Sequence, residues 1–97
     1  MVLIKVNEVP LTKEGLKERT RRAWRINPSR LYGQDTLISV YKGQILEVYK
    51  ILGYANDTIE SNRVAFELEE IESDLRGKII ITKTSNPCTI VENLEFK

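Results

Sequence analysis

A chain of 97 residues has room for one domain and one core, with no second domain to carry a cofactor. Its composition, 41% hydrophobic and 30% charged, is that of an ordinary folded protein, and no apolar run approaches the roughly 18 residues that span a bilayer. The net charge of +1 gives no bulk attraction for polyanions, and with no histidine the commonest general base and metal ligand is missing.

The first predicted element is a strand over Val2 to Val6, apolar and rich in β-branched residues, closed by Pro10. The opening MVLIKV turns charged after four residues and does not read as a signal peptide. Thr12 is a candidate N-cap for a helix through LTKEGLKERTRRAW, in which Leu16, Thr20 and Ala23 fall at helical spacing. Gly15 inside that helix costs about 1 kcal/mol relative to Ala. Asn27-Pro28 reads as a cap followed by Pro at the first helical position, giving one short turn that ends at Gly33.

Thr36 to Tyr41 and Gln44 to Leu52 predict two strands joined by a two-residue turn at Lys42-Gly43. Strict alternation would put Ile45, Glu47, Tyr49 and Ile51 on one face and Leu46, Val48 and Lys50 on the other. Both faces carry apolar groups, so the hairpin belongs in a sheet that is covered on both sides or curled on itself. Gly53 to Asn62 reads as a polar loop, Arg63 to Leu68 as a strand and Glu69 to Arg76 as a short helix stopped by Gly77. Lys78 to Lys83 and Cys88 to Glu92 are the last predicted strands, with a turn at Asn86-Pro87 and the tail LEFK free to pair with an edge. The expected fold is α+β, mainly β: a small mixed barrel with one or two short helices, spanning residues 1–97 as a single domain.

Charge is segregated along the chain. Lys13, Lys17, Arg19, Arg21, Arg22, Arg25 and Arg30 stand against Glu14 and Glu18, whereas Glu60, Glu67, Glu69, Glu70, Glu72 and Asp74 stand against Arg63. Either one end of the molecule attracts polyanions, or the two segments face each other across the fold. The acidic stretch lacks the fixed Gly and carboxylate positions of a calcium loop and reads as a solvated face. Asp35 and Asp57, in predicted loops, give no signal of chemistry.

The lone Cys88 cannot form an internal disulfide, has no histidine to activate it and reads as a small buried hydrophobe in a cytoplasmic protein. No phosphate loop and no metal-ligand spacing is present, so the chain reads as a binding domain that needs no cofactor or metal and is not an enzyme.

One segment carries recognition chemistry. Arg19, Arg21, Arg22 and Arg25 surround the only tryptophan, Trp24. Guanidinium groups bind phosphates bidentately, and an indole face stacks on bases for about 1–3 kcal/mol each. The competing reading makes Trp24 the largest plug in a small core. Tyr54, just after a strand, lies where ligand-contacting aromatics are often found. Arg63 serves either an internal salt bridge or the lining of a pocket.

In order, the chain carries R-x-W at Arg22-Ala23-Trp24, the hairpin LISVYKGQILEVYKI, Arg63-Val64-Ala65-Phe66, Gly77-Lys78 and Asn86-Pro87. In these motifs it resembles, over roughly residues 19–92, a family of small bacterial and phage proteins of the PUA-like β-barrel superfamily. The resemblance implies a strongly curved barrel flanked by short helices. It also implies binding of RNA or modified DNA, as in the ASCH, EVE and YTH types, some of which hold a flipped base in an aromatic pocket. Arg22, Trp24, Arg63 and Asn86 match the recurring polar and aromatic positions. The sequence departs from the pattern at Ala23, where Gly is common, at Tyr54, where Trp is expected, and after Phe66, where a Gly often follows.

The leading expectation is a cytoplasmic nucleic-acid-binding domain whose basic segment tracks phosphate, with no membrane association. Arg22→Ala should then lower the salt slope of binding by about one unit. The alternatives are a module or phage-type inhibitor acting on a protein partner, and a pocket for a nucleotide-sized metabolite built on Arg63 and the aromatics. Oligomeric state is not legible.

Overall fold

The computed structural model describes all residues from Met1 to Lys97. Strand β1 (Val2–Lys5) lies inside the sheet, because its alternating apolar side chains find cover on both faces. It pairs in parallel with β2 (Thr36–Tyr41) and antiparallel with β6 (Cys88–Ile90). The hairpin partner β3 (Gln44–Asn56) carries β4 (Val64–Glu70) on its far side, giving the order β4-β3-β2-β1-β6. A separate two-stranded ribbon joins β5 (Ile80–Ile81) to β7 (Glu95–Phe96), so the LEFK tail does pair.

The protein is therefore α+β and mainly β, but the expected barrel is not closed. β4 and β6 end opposite edges of one sheet, and β5 and β7 form a ribbon of their own. Beside the large sheet, two isolated bridges form, Gln44 to Ile79 and Trp24 to Val64, and the Ile80 N–H donates to the Gly43 carbonyl at 2.8 Å.

The hairpin turn falls at Lys42-Gly43 as expected. Both residues have positive φ, +47° and +83°, which the right-handed twist of the flanking strands favours in a two-residue turn. The alternation beyond it is different. Ser39 faces Glu47 while Val40 faces Ile45, so Leu46 is an extra, bulged residue. The bulge moves Ile45 onto the face of Val48, against Leu3, Ile38, Val40 and Ile80. Tyr49 stays on the other face with Val2, Ile4, Leu37, Phe66, Leu16 and Trp24. The core is thus two layers, one on each face of the sheet.

Helix α1 (Lys13–Arg21) covers the Tyr49 face, capped by Thr12, whose Oγ1 accepts from the Gly15 N–H at 3.0 Å. Gly15 is there for space: a Cβ would meet Pro10 Cβ and Thr12 Oγ1 at 3.0 Å. Buried Thr20 joins α1 to β2 through a 3.1 Å hydroxyl pair with Ser39. The helix stops before the expected Ala23 and Trp24. Trp24 exchanges backbone hydrogen bonds with Val64 (3.0 and 2.9 Å), which requires extended chain. Pro28–Leu31 forms the short 3-10 turn, with Asn27 Oδ1 accepting from the Ser29 N–H at 3.0 Å.

The expected helix over 69–76 is absent. β4 continues to Glu70, and the Ile71 and Gly77 N–H groups donate to Val48 and Ile45 carbonyls of β3. These bonds hold the segment against the sheet. The expected strand over 78–83 is reduced to Ile80–Ile81, and that over 88–92 to Cys88–Ile90. The predicted polar loop shrinks, because β3 runs on to Asn56.

Candidate nucleic-acid interface

The chain reverses sharply where α1 ends. Arg22 is extended, Ala23 takes the left-handed φ of +65°, and Trp24 enters the bridge with Val64. This reversal sends neighbouring side chains to different places. The Trp24 indole is only 7% exposed, and its N–H donates to the Thr20 carbonyl at 2.6 Å. Trp24 is therefore core and wall, with its ring packed inside and not presented as an open stacking face. The Ala23 carbonyl accepts from Arg63 Nη1 at 3.3 Å.

Between this reversal and β6 lies a cavity of about 380 Å³. Four separate segments supply its polar side chains: Arg25 from the stretch after the bridge, Arg30 from the 3-10 turn, Arg63 at the start of β4, and Asn86 before β6. Trp24, Ala23, Pro87 and Cys88 complete the lining, which contains no carboxylate. Arg25 and Arg30 are exposed, and their guanidinium groups hold no internal acceptor; Arg63 is half-buried and makes no salt bridge. Burial pushes the Cys88 thiol up to about 12, against a small downward pull from Arg30. The cavity thus sets three positive charges around the buried Trp24 and Cys88.

The other candidate residues lie elsewhere. Arg21, Arg22 and Tyr54 line a second hollow of about 570 Å³, whose walls also carry Asp57 and Glu67. Arg22 does not reach it as a free cation. Its Nε and Nη2 fork onto the two oxygens of Asp57 at 2.9 and 2.8 Å. Asp57, with a side chain 1% exposed, also accepts from the Ile59 and Glu60 N–H groups. The Arg22 guanidinium and these two donors hold the Asp57 carboxyl well below the usual carboxylate range. The phosphate contact expected of Arg22 therefore meets a fork that is already filled.

Arg21 donates to the Phe66 carbonyl at 3.1 Å and to Glu18 at 2.9 Å. Arg19 donates to Asn7 Oδ1 at 3.0 Å and lies 5.8 Å from the Trp24 ring centroid. Lys13 pairs with Glu70 at 3.3 Å across the contact of α1 with β4. On this side the basic and acidic segments do face each other across the fold. Tyr54 is 43% exposed on β3.

Sequence reasoning missed three participants. Asp57 had a local signal, since an aspartate two and three residues before free N–H groups suits a side-chain-capped turn. Arg30 carried no signal of its own beyond the basic run. Buried Glu47, which accepts from Arg76 Nε at 2.8 Å, lies on the Tyr49 face as alternation places it, but nothing in the strand pattern marks the distant Arg76 that pairs with its buried carboxylate. No group of three His, Cys, Asp or Glu side chains could hold a metal ion, and no helix is long and apolar enough to cross a membrane. No family model, curated protein or solved structure matches the chain.

Proposed function

We propose that this domain is a PUA-like nucleic-acid reader that binds RNA or modified DNA without catalysis, in the cytoplasm, through the cavity of Arg25, Arg30, Arg63 and Asn86. One observation carries the reading: three guanidinium groups from three segments line one hollow in which no carboxylate opposes them. Guanidinium groups match phosphate oxygens in charge and in geometry, and the half-buried setting of Arg63 strengthens its own contact relative to bulk water. Asn86 offers a donor and an acceptor to a base edge. Trp24 walls the cavity, and the Ala23 carbonyl holds Arg63 by accepting from its Nη1.

The test is a filter-binding or anisotropy series with labelled single- and double-stranded RNA and DNA at rising salt. Binding at low salt that weakens steeply, and that Arg25→Ala reduces about tenfold, is the expected result. No binding to any polymer at low salt ends the proposal. In that case a stoichiometric protein that survives nuclease treatment in a pull-down becomes the ligand to seek.

A further inference from the structure

We infer that the cavity takes a phosphate monoester at the end of a single nucleic-acid strand, in preference to the internal phosphodiesters of a duplex. This rests on the nucleic-acid reading above and narrows its ligand. The first ground is where the unengaged cations are. Arg19, Arg21, Arg22 and Lys13 already hold Asn7, Glu18, Asp57 and Glu70. Lys17 sits in a hollow shared with Glu14, Glu18, Glu67, Glu69 and Glu70. No track of free cations leads away from the cavity along α1, whereas a duplex is held by a row of phosphate contacts.

The second ground is charge. An internal phosphodiester carries one negative charge. A terminal monoester carries about −1.5 to −2 at pH 7, with three oxygens to place. Arg25, Arg30 and Arg63 line the cavity from three segments with no carboxylate among them, so a dianion matches more of their charge than a single diester does. The third ground is size. About 380 Å³ lies at the small end of ligand pockets, room for one nucleotide end.

The experiment compares identical single-stranded oligonucleotides bearing a 5′-phosphate, a 3′-phosphate or hydroxyls at both ends, with the phosphorylated duplex and AMP as further ligands. One phosphorylated end should bind at least about tenfold tighter than the hydroxyl strand, which is the effect of one well-placed charge. Arg30→Gln, an exposed residue with no internal hydrogen-bond acceptor, should erase that preference.

The preference should also shrink from pH 7.5 to pH 5.5, as the monoester gains a proton near pH 6. The titratable and charged groups facing the site are Arg25, Arg30, Arg63 and Cys88, and the chain has no histidine, so none of these side chains supplies that transition. Equal affinity for all three strands overturns this inference and leaves the nucleic-acid reading standing. AMP binding as tightly as the phosphorylated strand overturns the polymer part of it. Failure of every strand and of the duplex to bind removes both.

Discussion

Two sets of arginines leave the same short stretch of sequence and reach opposite chemical fates. Arg21 and Arg22, on the α1 side, end on Phe66, Glu18 and Asp57 and fasten the helix and the 57–63 loop to the sheet. Arg25 and Arg30, past the reversal at Ala23, end in a hollow without a carboxylate, beside Arg63. A run of basic residues thus says that charge is present, and only the acceptors around each guanidinium say whether it is available. The lesson is that recognition here is confined to one pocket, while the adjoining charge holds the fold together.

The sharpest way to break this contrast is to remove one arginine from each set. Arg22→Ala leaves the buried Asp57 carboxylate without its forked partner, so its loss of melting temperature should exceed that of any other single arginine-to-alanine change in the two sets. Arg25→Ala, at an exposed position, should stay within about 0.5 kcal/mol of the parent. Equal losses from the two would erase the distinction.

A pH series tests the same clamp more finely. The Asp57 carboxyl is held below its unfolded value of about 3.9, so its stabilisation is complete above that pH and is lost as pH falls toward the lower folded value. Asp57→Asn should therefore melt lower than the parent at pH 7, with the gap closing as the pH drops below about 4. A gap that is constant with pH would show that the carboxylate charge contributes nothing.

A gain in stability is expected at the divide between the two regions. Ala23 adopts φ +65°, which costs an L-residue roughly 1–2 kcal/mol, partly offset in a glycine variant by its greater unfolded-chain entropy. Ala23→Gly should stabilise the fold by up to about 1 kcal/mol, read as a higher melting temperature. A destabilised variant would mean that the reversal is set by something other than local backbone conformation.

Much of the architecture was legible because local rules and tertiary demands agreed. The Lys42-Gly43 turn, the Thr12 cap and the Asn27-Pro28 turn each follow from the residues at those positions. The errors came where a long-range contact decided. The backbone bridge from Trp24 to Val64 ended α1 early, and the bonds from Ile71 and Gly77 to β3 replaced a helix. The bulge at Leu46 moved Ile45 to the other face of the strand, and β5 and β7 form a ribbon of their own that leaves the barrel unclosed.

The site was legible in the same proportion. Trp24, Arg25 and Arg63 were singled out by residue type and Asn86 by the resemblance, and all four line one cavity. Arg19, Arg21, Arg22 and Tyr54 were singled out on the same grounds and lie elsewhere: the Glu18 partner of Arg21 is an i,i+3 pair legible on a helix, whereas nothing local encodes the Asn7 and Asp57 acceptors of Arg19 and Arg22.

The account turns on which arginines meet phosphate, and the salt dependence of single-strand binding reads that directly. Arg25→Ala and Arg30→Ala should each lower the slope of log K against log salt by about 0.7, the value for one lost contact to a single strand, while Arg19→Ala leaves it unchanged. A slope that falls for Arg19→Ala and holds for Arg25→Ala and Arg30→Ala would place the interface on the helix and contradict the account.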